Sequence, residues 1–239
     1  MDTVKFNEKQ NILMVAHRGV SGLERENTCP AFLVAGAKSY YGIETDVHVT
    51  ADGEIIVFHD DSLKRLLDVD KRVEECTFSY LRSLRLKDFN GKVQQGLFLP
   101  TLEEYIDICK RYQKVAVLEL KNPMQKQYIA KIVNVIKSLD MLENTIFISF
   151  AGENLVELKR EYPTAKAQFL FCDATEQNLQ FMVDNGLDAD IYYKSLTKEY
   201  ADLLKSNGIK INCWTVDNLQ DATALQSLGV DFITSNILE

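Results

Sequence analysis

No stretch of the chain approaches 18 consecutive apolar residues, which argues against a helix long enough to span a bilayer and predicts no stable membrane insertion. The first ten residues, Met1 to Gln10, lack the apolar core of a secretory leader, so a cytoplasmic location is expected. No basic block occurs and the formal net charge is −8. Nucleic acid is therefore not an expected partner, because binding its backbone takes clustered Lys and Arg. A small phosphate ester stays compatible if its site is locally positive or holds a metal. There is no Cys-x-x-Cys, and the five cysteines (Cys29, Cys76, Cys109, Cys172, Cys213) are odd in number and scattered. That disfavours a disulfide framework or a zinc site and predicts reduced, mostly buried thiols. Internal repeats and low-complexity segments are missing as well. Histidine is scarce, with three in the chain.

What is present is a rhythm. At 239 residues, 46% hydrophobic and 26% charged, the chain suits either one α/β barrel or two smaller domains. Short apolar runs predict strands at Ile12–Ala16, Gly42–Val47, Glu54–Phe58, Lys114–Leu120, Thr145–Ser149, Lys166–Phe171, Ala189–Tyr193, Lys210–Thr215 and Asp231–Thr234. Amphipathic stretches such as Gln127–Leu139 and Leu155–Tyr162 alternate with them, and Asn185-Gly186, Asn207-Gly208 and Leu228-Gly229 punctuate helix ends. This alternation predicts a parallel sheet covered by helices.

Nine strands are one too many for an eight-stranded barrel. The link Val49-Thr50-Ala51-Asp52-Gly53 is too short for a parallel crossover and reads as a hairpin turn. Setting Glu54–Phe58 aside as an antiparallel excursion leaves eight parallel strands. The expected fold is thus α/β, a TIM-type (β/α)8 barrel spanning 1–239 as one domain, with a small insertion at about 61–100 after the extra hairpin strand. The hairpin would put residue 59 roughly opposite residue 44. Thr101 with Glu104 three residues on predicts a capped helix directly after the insertion.

In such a barrel, chemistry gathers where strands end. His17 and Arg18 end the first strand, Glu44 and Asp46 share one side of the second, and Glu119 and Lys121 repeat that spacing on the next barrel strand. His59 closes the hairpin strand. Three convergent carboxylates repel one another unless a cation neutralises them, and hard oxygen ligands suit one divalent ion, Mg²⁺ or Ca²⁺. Two imidazoles add a proton acceptor and a proton donor, and Arg18 and Lys121 supply charge suited to phosphate oxygens. Cleavage of a phosphate ester fits these parts. His48 fits a rim or hydrogen-bonding role, Asn27-Thr28 a helix start, and Trp214 a strand-end aromatic able to stack on substrate.

The chain resembles the glycerophosphodiester phosphodiesterase family. The resemblance rests on Ala-His-Arg-Gly at 16–19, Glu-Asn-Thr at 26–28, Glu-Thr-Asp-Val-His-Val-Thr-Ala-Asp-Gly at 44–53 and Val-Phe-His-Asp at 57–60. It continues in order through Leu-Pro-Thr-Leu-Glu-Glu at 99–104, Leu-Glu-Leu-Lys at 118–121, Trp-Thr-Val-Asp at 214–217 and Gly-Val-Asp-Phe-Ile-Thr at 229–234. The resemblance implies cation-assisted hydrolysis of a small-molecule glycerophosphodiester to sn-glycerol 3-phosphate and an alcohol. It implies His17 and His59 as acid and base, in an order it does not assign, and Glu44, Asp46 and Glu119 as metal ligands. Arg18, Lys121 and Trp214 would meet the substrate. The alternatives are a related barrel phosphodiesterase acting on lysophospholipids, or a barrel that binds a glycerophosphate without turnover. One departure stands out. The family's Thr-Asp-x-Pro is Thr234-Ser235-Asn236-Ile237 here, which puts local closure of the barrel in question.

Overall fold

Val, Ile, Leu and Phe fill the strand segments, which are buried on both faces as parallel barrel strands require. The computed structural model describes residues 2–7 and 9–239. Its barrel strands are β1 (Leu13–Ala16), β2 (Gly42–Val49), β4 (Val115–Leu120), β5 (Thr145–Ser149), β6 (Lys166–Phe171), β7 (Asp188–Tyr192), β8 (Ile211–Trp214) and β9 (Phe232–Ser235), with β3 (Ile55–Val57) lying outside the ring. All barrel pairings are parallel, and β1 pairs with both β9 and β2, so the ring is closed.

Between consecutive barrel strands run α1 (Cys29–Gly36), α4 (Leu102–Arg111), α5 (Lys126–Ser138), α6 (Gly152–Glu161), α7 (Glu176–Asn185), α8 (Lys198–Ser206) and α9 (Leu219–Leu228). Thr28, Thr101, Thr175, Thr197 and Asn218 cap five of them with side-chain oxygens, and Thr101 with Glu104 forms the expected reciprocal box. Gly186 and Gly229 end α7 and α9 in the left-handed conformation. The main core lies between sheet and helices; a smaller one fills the barrel, with Val15, Val117, Ile146, Ile148, Leu170 and Phe232 interlocking.

The closure doubt at 234–237 is resolved by the backbone. All four residues of β9 pair with β1, and beyond them Val4 and Phe6 donate to the carbonyls of Ile237 and Glu239. An Asp and a Pro are not needed for that ladder.

β3 pairs antiparallel with β2 through Val47–Val57, His48–Ile56 and Val49–Ile55. The turn is a three-residue loop, Ala51 to Gly53, with Gly53 at φ 76°. The register therefore sets residue 59 across from residue 45, one position off the expected level. The segment after β3 carries the short helices α2 (Lys64–Leu67) and α3 (Phe78–Ser83) over a satellite core of Phe58, Leu63, Val73, Leu81 and Leu99. Three cysteines are buried and Cys29 is half-buried, in line with the expected reduced, mostly buried thiols; Cys172, just after β6, is exposed, and all five are free.

Candidate active site

Each motif is delivered by a strand end and tied to the next. After β1 the chain turns sharply through Arg18 (φ 52°) and Gly19 (φ 75°). A Cβ at Gly19 would fall 2.7 Å from the Ala31 Cβ, so only glycine lets α1 approach. The turn aims two amides at β2: Arg18 N donates to Glu44 Oε2 (2.7 Å) and Gly19 N to the Glu44 carbonyl (3.1 Å).

Glu44, Asp46 and Glu119 are buried, each with an oxygen within 4.8 Å of the others. Asn27 Nδ2 donates to Asp46 Oδ2 (2.8 Å) and Thr45 Oγ1 to Asn27 Oδ1 (2.8 Å). Asn27 is thus a carboxylate holder, and Thr28 alone caps the helix. Lys121 Nζ lies 2.9 Å from Glu119 and 3.6 Å from Asp46. Against the burial that would raise it, His59, Lys121 and Arg18 keep Asp46 ionised, well below the usual carboxylate range. Burial and the Asp46 charge push Glu119 up to about 8 and Glu44 well above its ordinary value. Asp46 Oδ1 has no hydrogen-bond partner. Three hard oxygen donors, one orphaned buried oxygen and two carboxyls that resist ionising beside a third together fit a divalent cation.

The two imidazoles have different partners. His17 Nδ1 sits 2.7 Å from Asn236 Oδ1. Asn236 Nδ2 and backbone N donate to Asp217 (2.6 and 2.8 Å), so Oδ1 is the acceptor and His17 Nδ1 carries the proton. Enclosure and the neighbouring Arg18 push the His17 pKa down to about 4. His59 Nδ1 instead meets the Asp60 carboxylate at 2.7 Å. Arg65 grips Asp60 through Nε (2.6 Å) and Nη2 (2.9 Å) and reaches Glu26 with both Nη atoms (2.7 Å), while Glu26 also accepts from Arg18 (2.7 Å). The buried His48 donates from Nε2 to the His59 carbonyl (3.3 Å).

His17, Arg18, Glu44, His59, Glu119 and Trp214 line one pocket of about 90 Å³, together with Ile148, Phe150, Leu170, Asp190, Thr215 and Thr234. Trp214 Nε1 donates to the Asp190 carbonyl (3.1 Å), and its ring lies 5.6 Å from those of Phe150 and Tyr192. A more open cleft of about 570 Å³ adjoins it across His17 and Arg18. Lys121 is not on the pocket wall; it is turned into the carboxylates. Sequence reasoning missed Asn236, Asp217, Glu26, Arg65 and Asp190. Asp217 and Glu26 lie inside matched strings yet carried no assigned role, whereas Arg65, Asp190 and Asn236 sit in no matched string.

A closed parallel barrel with two imidazoles, an arginine and a buried carboxylate cluster at the strand ends fits the class of phosphoric diester hydrolases. The chain belongs to the glycerophosphoryl diester phosphodiesterase family, whose sequence model matches residues 17–238. It is 28% identical over 227 residues to a glycerophosphodiester phosphodiesterase of Caldanaerobacter subterraneus subsp. tengcongensis, covering 94% of this chain and 93% of that one. A second, from Bacillus subtilis (strain 168), is 30% identical over 251 residues, covering 94% and 83%. Among solved structures, an Oleispira antarctica phosphodiesterase in complex with the product sn-glycerol-3-phosphate superposes with a TM-score of 0.85 at 25% identity, covering 96% and 95%. A glycerophosphodiester phosphodiesterase from Parabacteroides distasonis gives 0.79 at 28%, covering 95% and 93%.

Proposed function

We propose that the protein hydrolyses glycerophosphodiesters to sn-glycerol 3-phosphate and an alcohol, with a divalent cation held by Glu44, Asp46 and Glu119. The observation that carries this reading is one pocket flanked by a buried three-carboxylate cluster and two imidazoles with unlike partners. The whole chain acts as one phosphodiesterase domain, with 61–100 as an insertion, and its place is the cytoplasm. Among the described residues no helix is long and apolar enough to cross a membrane.

His17, with its proton on Nδ1 and a neutral amide as partner, offers a free Nε2 lone pair and is the base. It takes a proton from the attacking hydroxyl, whether water's or the substrate's own. His59, whose Nδ1 is held by the Asp60 carboxylate, is the acid. It delivers its Nε2 proton to the departing alcohol oxygen as that P–O bond breaks and the new one forms. Arg18 Nε is buried without a hydrogen-bond partner, a donor left over for a phosphate oxygen. When bound, Mg²⁺ or Ca²⁺ supplies Lewis acidity towards the phosphate. Lys121 balances the carboxylates and Trp214 walls the substrate.

The test is release of sn-glycerol 3-phosphate from glycerophosphocholine with and without chelator. No product with any added Mg²⁺, Ca²⁺ or Mn²⁺ sinks the activity. The roles are tested by comparing leaving groups. His59→Ala should lose far more activity towards the choline ester than towards the p-nitrophenyl ester of glycerol 3-phosphate, whose leaving group needs no proton. If His17→Ala shows that selectivity instead, the assignment is reversed.

A further inference from the structure

Asp190 stands on β7, directly across the eight-stranded ring from β2 and its Glu44. It is 1% exposed, lines the pocket, and its Oδ1 has no hydrogen-bond partner. Around it the pocket wall is apolar, from Ile148, Phe150, Leu170 and Trp214. Its backbone is pinned by the Trp214 indole. The side chain of its in-register neighbour Asn212, which also contacts Gln168 (3.4 Å) and Thr234 (3.2 Å), hydrogen-bonds the Asp190 carboxyl, so Oδ1 is the oxygen left over. An orphaned carboxyl oxygen in such surroundings is costly unless something arriving in the pocket completes it.

We propose that Asp190 recognises the substrate's glycerol by hydrogen-bonding one of its hydroxyls, an inference that rests on the glycerophosphodiesterase reading above. The phosphate belongs beside Arg18 and the carboxylates, on the β1, β2 and β4 side. The rest of the pocket wall comes from β5 to β9, through Ile148, Leu170, Asp190, Trp214 and Thr234. An enclosed pocket of about 90 Å³ suits the part of the substrate that is the same in every turnover. The variable alcohol has the open cleft of about 570 Å³ beyond His17 and Arg18. Burial pushes the Asp190 carboxyl up to about 8, so at neutral pH it is both donor and acceptor, as a hydroxyl requires. The apolar wall covers the glycerol carbons.

The experiment is calorimetric binding of sn-glycerol 3-phosphate, methyl phosphate and propyl phosphate to the Mg²⁺-loaded protein. Wild type should prefer glycerol 3-phosphate over both others by about tenfold to a hundredfold. Asp190→Leu should bring that preference close to one while weakening methyl phosphate far less. Asp190→Asn, which keeps a donor and an acceptor, should retain most of it. Three results overturn the proposal: wild-type binding of propyl phosphate equal to that of glycerol 3-phosphate, an unchanged preference in Asp190→Leu, or equal weakening of all three ligands in both variants. A wild type that releases no glycerol 3-phosphate from glycerophosphocholine refutes the functional reading instead, and is scored separately.

Discussion

His17 Nδ1 and Asn236 Oδ1 lie 2.7 Å apart, joining the ends of the first and last barrel strands through the imidazole proposed as the base. Asp217 holds the amide in the orientation that makes it an acceptor. Removing the acceptor frees the ring to rotate or change tautomer. Asn236→Ala is therefore expected to lower kcat by about tenfold to a hundredfold, less than the loss of a whole acid–base group because the imidazole itself stays. KM should rise by less than kcat falls, because Asn236 lines the open cleft for the alcohol but not the enclosed pocket. Steady-state kinetics on glycerophosphocholine decide it; a KM effect with normal kcat would contradict a positioning role.

Arg65 links Asp60 to Glu26 and so ties the His59 arm to the Arg18 arm. Its fork makes paired contacts to both carboxylates, a geometry that a lysine ammonium does not reproduce. Arg65→Lys is expected to fall nearly as far as Arg65→Ala, with kcat/KM down about tenfold. The side chain is 46% exposed, so the stability change should stay below about 1 kcal/mol. Denaturant titration beside kinetics separates the two; full rescue by lysine would show that charge alone suffices.

The metal binding proposed for the carboxylate cluster has a stability readout independent of turnover. An ion that binds only the folded state adds about 2.7 kcal/mol at a hundred times its Kd. Wild type should therefore melt higher as Mg²⁺ or Ca²⁺ is added. Glu119→Gln should lose that rise together with activity. Its metal-free form should melt no lower than metal-free wild type, since it drops one of the two buried carboxyls crowded against the Asp46 charge. A Glu119→Gln protein that keeps the full metal-induced rise would remove Glu119 from the ligand set.

The barrel was legible because its signals are local. Apolar runs, threonine caps and the left-handed glycines each act within a few residues, and the five-residue link after Val49 allows nothing but a hairpin. The site's charged strand ends were legible for the same reason. Its supporting contacts were not. Asn236 is 219 residues from His17, and Arg65 lies 39 from Glu26, so no spacing in the chain announces either pair. The closure doubt arose from treating a four-residue string as the cause of strand pairing, when the ladder from Leu13 to Ala16 needs only backbone groups. Asp190 was unremarkable among the strand residues because its significance is the partner it lacks.

That missing partner has a measurable cost. Burial raises the Asp190 pKa from 3.8 to about 8. Below pH about 4 both folded and unfolded chains hold the proton, and folding bears no ionisation cost. Between there and pH 8 the unfolded chain gives the proton up while the folded chain keeps it, so stability falls as pH rises. The slope is up to about 1.4 kcal/mol per pH unit, levelling off once the folded carboxyl ionises. Asparagine does not titrate, so Asp190→Asn lacks this slope. The stability of Asp190→Asn minus that of wild type should thus climb from pH 5 to pH 8 and then level. Denaturant unfolding of both at each pH measures the difference, in which Glu44 and Glu119, present in both proteins, cancel. Two parallel stability curves would mean that Asp190 is ionised in the folded protein, with a partner the barrel interior already supplies.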